Sequence, residues 1–208
     1  MFRFILAILL WLPKVPFLFL MDALTYIFAP VLALFVTKAE EHETTGFPSM
    51  FPGKPREFLI KPLRWFQTFD APLDEFWYGD YPNLLKTKYN QEYYDTHWWL
   101  RYVMRILWLW RNPAYGFGHA LGYDTDGMIY TVQRDNTHLW GSGLPNSSFW
   151  RGYNKKNQIG WWYKAQIYFY KNRCLEVNLG YKLDADSPDT KKVVAMQFSP
   201  FRKYDVKT

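Results

Sequence analysis

The sequence predicts an α+β chain: an N-terminal transmembrane or membrane-inserted helix, then one domain with a central helix packed on an antiparallel meander sheet of about five strands. Three observations predict it. Residues 1–36 are almost uniformly apolar, with Arg3, Lys14 and Asp22 as their only charged side chains. Residues 92–111 carry apolar side chains at helical spacing and end on an Asn-Pro stop. From residue 128 to residue 201 the apolar period changes to two, with turn residues between the runs.

The first segment is the strongest signal. Val15–Val36 is 22 residues long, enough to cross a hydrocarbon core of about 30 Å as a helix. A single spanning helix fits it best. A bent or interfacial insertion is the second reading, because Pro13 and Pro16 each remove a backbone donor. A cleaved signal peptide fits least: Pro13-Lys14-Val15-Pro16 is a poor cleavage site, and the apolar run resumes after it. A core helix rarely needs so much uninterrupted apolar surface. Asp22 reads as an interfacial carboxylate within reach of water rather than as a transport site. Basic residues are nearly balanced on the two sides, so orientation is not readable. The single cysteine, Cys174, forms no internal disulfide and does not fix the compartment.

Thr37–Met50 is polar and acidic and reads as a linker, leaving residues 51–208 for the domain. Residues 51–90 are rich in Pro and Gly turn signals, and Asp70, Asp74, Glu75 and Asp80 among them read as solvated turns. In the helix expected at 92–111, Asp95 or Thr96 supplies a cap and Asn112-Pro113 a stop. Its apolar arc is wide, so it is buried on several sides or lies against a membrane. Arg101 and Arg105 are one turn apart and form a candidate anion grip for a phosphate or carboxylate. The competing reading is a pair of salt bridges to the acidic turns.

Strands are expected at 128–134, 148–153, 160–171, 174–183 and 193–201, with Asn172-Arg173 as a tight hairpin connection. In the third strand, Trp161, Tyr163, Ala165, Ile167 and Phe169 share an apolar face that should pack on the helix. Trp162, Lys164, Gln166, Tyr168 and Tyr170 share a face that reads as wet but aromatic.

Residues 136–175 contain no Asp or Glu but many cations and aromatics. Trp162, Lys164, Tyr168, Tyr170, Lys155, Lys156 and Arg151 are the candidate binding surface. An anionic lipid surface would attract the cations and seat Trp and Tyr at headgroup level. Nucleic acid would use the same cations on phosphate, with bases on the rings, but a net charge of +6 is modest for that role. A protein or sugar partner could use the rings as anchors. The plainer reading is a sheet whose aromatics pair across strands. The apolar N-terminus favours lipid among the binding readings.

Signatures of catalysis, cofactor or metal are not found. Gly116-Phe117-Gly118-His119 lacks the third glycine of a dinucleotide loop. Asp124-Thr125-Asp126-Gly127 lacks the downstream glutamate of a calcium loop, and the four histidines are scattered. The expectation is therefore no cofactor, no metal and no assigned enzymatic activity.

Four segments carry a resemblance: Leu63-Arg64-Trp65-Phe66-Gln67-Thr68-Phe69-Asp70, Trp108-Leu109-Trp110-Arg111-Asn112-Pro113-Ala114-Tyr115-Gly116-Phe117, Leu179-Gly180-Tyr181-Lys182 and Met196-Gln197-Phe198-Ser199-Pro200-Phe201-Arg202. Their order resembles a family of small uncharacterised proteins encoded by tailed bacteriophages, over most of the chain. The stretch from Asp74 to Asp95 departs from it as a long, tyrosine-rich insertion. These motifs are aromatic and structural, and no activity is transferred by them. The resemblance implies a viral protein working in a bacterium, at its inner membrane.

The functional expectation is a membrane-anchored phage accessory protein that binds a host or viral protein at the membrane surface. Two alternatives stand beside it. One is a virion component that uses the hydrophobic arm for assembly, and the other a nucleic-acid binder that uses the basic aromatic sheet face.

Overall fold

The computed structural model describes residues 2–45, 52–79, 84–124, 129–135, 147–153, 159–170, 173–181, 191–192 and 194–203. The chain is α+β, with an apolar N-terminal helix followed by helices and antiparallel sheets. It divides into two compact units, one made of residues 1–20 with 117–208, the other of residues 21–116.

The N-terminal run forms α1 (Phe2–Trp11), a 3-10 turn at Leu12–Lys14 and α2 (Val15–Leu32). Pro13 sits in the first turn of the 3-10 segment and Pro16 in the first turn of α2, positions whose N–H groups have no helical acceptor, so neither breaks the run. Phe4–Leu32 is long and apolar enough to cross a membrane.

In the first unit, five strands form an antiparallel sheet: β4 (Ile129–Asp135), β5 (Ser147–Tyr153), β6 (Ile159–Tyr170), β7 (Arg173–Tyr181) and β9 (Val194–Lys203), in the order β4-β5-β6-β7-β9. The expected meander is observed, with ends shifted by a residue or two. β3 (Tyr123–Asp124) and β8 (Lys191–Lys192) pair separately. The face carrying Trp161, Tyr163 and Ala165 is expected to pack on the helix at 92–111; it is covered instead by α1, whose aromatic and apolar side chains meet its rings. Trp11 meets Trp161 edge-on at 5.2 Å, and Phe4 meets Phe149 and Trp161 edge-on at 6.1 and 6.4 Å. Ala7, Trp11, Leu18, Trp161, Trp162 and Tyr181 are the buried centre of this core. The rings of α1 thus meet those of the sheet edge to face, with Ala7 between them in the buried centre.

The second unit holds the rest of α2, then β1 (Val36–Ala39) and α3 (Glu41–Thr45), where a linker is expected. β1 pairs antiparallel with β2 (Arg56–Leu59), register Val36 to Leu59, so the polar segment is tied down by a ladder. A 3-10 segment (Lys61–Phe66), α4 (Glu75–Tyr78), α5 (Leu84–Lys88) and α6 (Gln91–Thr96) lead to α7 (Trp98–Arg111) and α8 (Tyr115–Ala120), which runs on past the unit boundary.

The single helix expected at 92–111 is two helices. His97 is extended (φ −105°, ψ 105°) between them. The hydroxyl of Thr96 donates to the carbonyls of Glu92 and Tyr93, and the His97 ring stacks on Tyr93 at 3.6 Å. Local bonding of this kind competes with the helical ladder and closes α6 before α7 begins. The start of α6 is capped by Asn90, whose side chain accepts from the Tyr93 N–H at 2.8 Å.

α7 packs on the end of α2 around Ala29, Leu32, Ala33, Ile106, Trp108 and Leu109. Tyr102 donates to the Pro30 carbonyl and Trp110 to that of Tyr26. The Leu63–Asp70 and Trp108–Phe117 segments meet each other here. Trp108 Nε1 donates to Thr68 Oγ1 at 2.8 Å, Gly116 N to the Gln67 carbonyl at 2.7 Å, and Tyr115 stacks on Phe69 at 5.6 Å. A Cβ on Gly116 would stand 2.5 Å from the Arg64 carbonyl oxygen, so that position has no room for a side chain.

Gly180 has φ +98°, and a Cβ there would run into the Trp161 carbonyl oxygen. Gly53 has φ +76° with open space around it. Gly53→Ala should cost about 1 kcal/mol from backbone strain alone. Gly180→Ala should cost roughly 3 kcal/mol or more, because the Trp161 strand must also shift. Urea denaturation of the two variants checks the difference; equal losses would contradict it.

Candidate functional site

The N-terminal helix presents two apolar faces. Ala7, Trp11, Leu18, Thr25, Ala29, Leu32 and Ala33 are buried, the first three in one unit and the last four in the other. Leu9, Leu10, Phe17, Leu20, Ile27 and Leu34 are each more than half exposed, with Ile27 at 68%. At about 100° per residue, Leu9 and Leu20 stand nearly opposite Ala7 and Leu18 in the first unit, and Ile27 nearly opposite Thr25 and Ala29 in the second. Among the described side chains, the two charges of the run, Lys14 and Asp22, turn from the exposed face. Lys14 donates to the Leu121 carbonyl at 3.3 Å and to the Tyr181 hydroxyl at 3.5 Å. Asp22, read from sequence as interfacial and wet, is buried at 9% exposure. A helix on the surface of a water-soluble domain carries polar residues on its outer face. This one carries Leu, Ile and Phe there, with no charge among the described side chains.

The expected binding surface on the sheet is placed as follows. Trp162 is buried and donates to Asn178 Oδ1 at 3.1 Å. Lys164 is half-buried and 3.6 Å from Glu176 Oε2. Arg151 is half-buried, its guanidinium 5.6 Å from the Phe4 ring centre. Tyr168 and Tyr170 lie on β6 opposite Cys174 and Arg173; their side chains, with Lys155 and Lys156, lie outside the described residues. The face read as wet is a buried polar surface. Gln166, Glu176, Asn178, Gln197 and Ser199 are all buried, on three neighbouring strands in register. Gln166 donates to Glu176 Oε2 at 3.3 Å and Asn178 to Oε1 at 3.0 Å. Buried polar groups are tolerated when bonded in this way.

Arg101 and Arg105 converge on Glu57. Arg105 grips it bidentately, at 2.8 Å through Nε and 2.7 Å through Nη2, and donates Nη1 to the Ala33 carbonyl at 3.2 Å. Arg101 Nε lies 3.8 Å from the same carboxylate. The fork geometry expected of an anion grip is present, and its carboxylate comes from β2 of the same chain.

A second ionic centre was not legible in the sequence. Arg56 is fully buried, and three carboxylates surround it: Asp74 at 3.0 Å, Glu75 at 2.9 Å and Glu41 at 3.3 Å. Asp74 and Glu75, expected in solvated turns, are buried instead, because this guanidinium draws them inward. Burial pushes the Asp74 carboxyl up to about 6, against the pull of Arg56. Burial raises Glu75 as well, and the hydrogen bond from Arg56 opposes it. Tyr94 stacks on Trp77 at 4.4 Å, and its hydroxyl has no hydrogen-bond partner among the described residues. Three sequence-distant acids on one fully buried arginine make a staple joining α3, β2 and α4.

Two consequences can be measured. Arg56→Met should cost roughly 3–5 kcal/mol in urea unfolding, since it leaves three buried carboxylates without their counter-ion; a loss under about 1 kcal/mol would contradict the staple. The pH dependence has a defined sign. Asp74 titrates in the fold at about 6, above its ordinary 3.8, so between those values the folded state holds more protons than the unfolded. Stability should therefore rise as pH falls from 7 through 6 towards 4, by on the order of 2 kcal/mol from this group. Asp74→Asn should flatten that rise.

No curated protein and no solved structure matches the chain. A family model described as "Family of unknown function" (DUF7338) matches residues 2–206. The match takes in the apolar helix, both ionic centres and the sheet, and the chain belongs to the DUF7338 family.

Proposed function

We propose that the chain is a membrane-attached accessory protein whose N-terminal helix holds the α+β domain on a bilayer, where the domain meets a host or viral protein. One observation carries this reading: in each unit the N-terminal run turns Leu, Ile and Phe outward from the core that its other face builds, over a stretch long and apolar enough to cross a membrane. Contiguous exposed apolar surface of this extent marks a protein or membrane contact. The bacteriophage resemblance supplies the setting, the inner membrane of a bacterial host. On the second unit Trp65 and Trp98 are exposed at 58% and 67%. Exposed tryptophans are the residue type that anchors protein contacts, and they support a partner surface there.

The test is substitution rather than deletion, because removing Val15–Val36 would take buried residues out of both cores. Changing Leu9, Leu20 and Ile27 together to Ser alters only exposed positions. Each removes about 1.5–3 kcal/mol of lipid burial, so membrane partitioning should fall roughly a thousandfold or more. Flotation on a density gradient reads that partitioning, and near-ultraviolet circular dichroism from the buried tryptophans checks that the fold persists. A wild-type chain that stays at the bottom of the gradient would overturn the proposal.

A further inference from the structure

We propose that the three-acid centre on Arg56 is a proton-operated latch for α3: with a proton on Asp74 all three acids stay on one guanidinium, and once that proton is lost Glu41 leaves and α3 undocks. The latch lies wholly within the second unit and does not depend on how the N-terminal helix meets a membrane.

Charge around β2 does not balance. Among the described residues, four buried carboxylates (Glu41, Glu57, Asp74 and Glu75) meet three guanidiniums (Arg56, Arg101 and Arg105). One negative charge is left over where an unpaired charge is expensive. The surrounding groups do not offset it. Lys38, opposite Glu57 on β1, and Lys54, bonded to Tyr78, are matched in number by Glu40 and Asp70, and all four are at least partly exposed. His42 and Glu43 of α3 and Glu92 and Asp95 of α6 are exposed. Tyr78 holds its ring 4.7 Å from the Arg56 guanidinium, and Tyr94 stays a neutral phenol, raised by burial and by Asp74. A single proton removes the excess. Asp74 is the group that takes it, because burial raises its carboxyl to about 6 against the pull of Arg56, with Glu57 adding to the rise.

When Asp74 ionises, the acid with the least packing behind it moves to water. Asp74 and Glu75 lie between Leu73 and Trp77, both buried, so apolar packing holds them. Glu41 is the only buried residue of α3, whose sequence Glu-His-Glu-Thr-Thr has no apolar side chain. Its 3.3 Å contact with Arg56 is also the longest of the three. A helix of five residues has no stability of its own. Releasing Glu41 therefore frees α3 without opening an apolar core.

The test places a nitroxide at exposed His42 (His42→Cys) in full-length protein, with Cys174→Ser to leave one thiol. Spin-label spectra from pH 5 to pH 8 read the mobile and immobile fractions of α3. Their ratio should rise through about pH 6, by up to about tenfold per pH unit. Asp74→Asn and Glu75→Gln each remove one negative charge and keep an oxygen for Arg56, so each should hold α3 docked at pH 8. Either variant suffices if the other does not fold. A label equally mobile at pH 5 and pH 8 in the parent would overturn the latch, as would variants that follow the parent's pH response. A purely structural centre would loosen α3 in both variants at every pH, and that result also overturns it.

Discussion

Each core of this protein is built against its own stretch of the N-terminal run, and each stretch is apolar on the side that its core does not use. The inner stripe from Ala7 to Ala33 supplies buried residues to the sheet unit and then to the helical unit. In the sheet unit Phe4 and Trp11 meet Phe149 and Trp161 edge-on, and in the helical unit Ala29 and Ala33 pack beside Ile106 and Leu109. An outer face of Leu, Ile and Phe adds nothing to either core and is costly in water. Folding therefore fixes in place a strip of surface that seeks an apolar neighbour. A detachable tail would not have this property, because it could be removed without opening a core.

The ionic centres follow the same logic on a smaller scale. Arg56 and Glu57 are consecutive on β2, so their side chains leave the strand on opposite sides. Arg56 gathers Glu41, Asp74 and Glu75, while Glu57 receives Arg105 and Arg101 from α7. One short strand thus fixes the positions of α3, α4 and α7. Buried ion pairs contribute little net stability against well-packed apolar residues, but leaving any partner alone is severe. Their effect here is to exclude other arrangements of short elements that have few apolar contacts of their own.

The sheet was legible because a half-covered antiparallel strand prints its period on the sequence, and Trp161, Tyr163 and Ala165 alternate cleanly with Trp162, Lys164 and Gln166. What lay on the polar side was not legible. Glu176, Asn178, Gln197 and Ser199 look like solvated positions until the register aligns them with Gln166 across three strands. The break at His97 was hidden because apolar spacing continues through it, and hydroxyl-to-backbone bonds at Thr96 leave no mark on periodicity. Arg56 was missed because its partners are 15 to 19 residues away in sequence, beyond any local pattern. In the N-terminal helix the two-faced character was masked by its own composition. When both faces are apolar the helical period vanishes, and residue size does not restore it, because Trp11, Leu18 and Leu32 turn inward with Ala7 and Ala29.

Spin labels placed one at a time from Ile5 to Leu34 in the lipid-bound, full-length protein would test the central claim most directly, through their accessibility to oxygen. Oxygen concentrates in acyl chains, so the two-faced account predicts accessibility that oscillates with the helical period of about 3.6 residues. Maxima should fall at Leu9, Leu20 and Ile27 and minima at Ala7, Leu18 and Ala29. Uniformly high accessibility around the helix, as for a lone span surrounded by lipid, would contradict it.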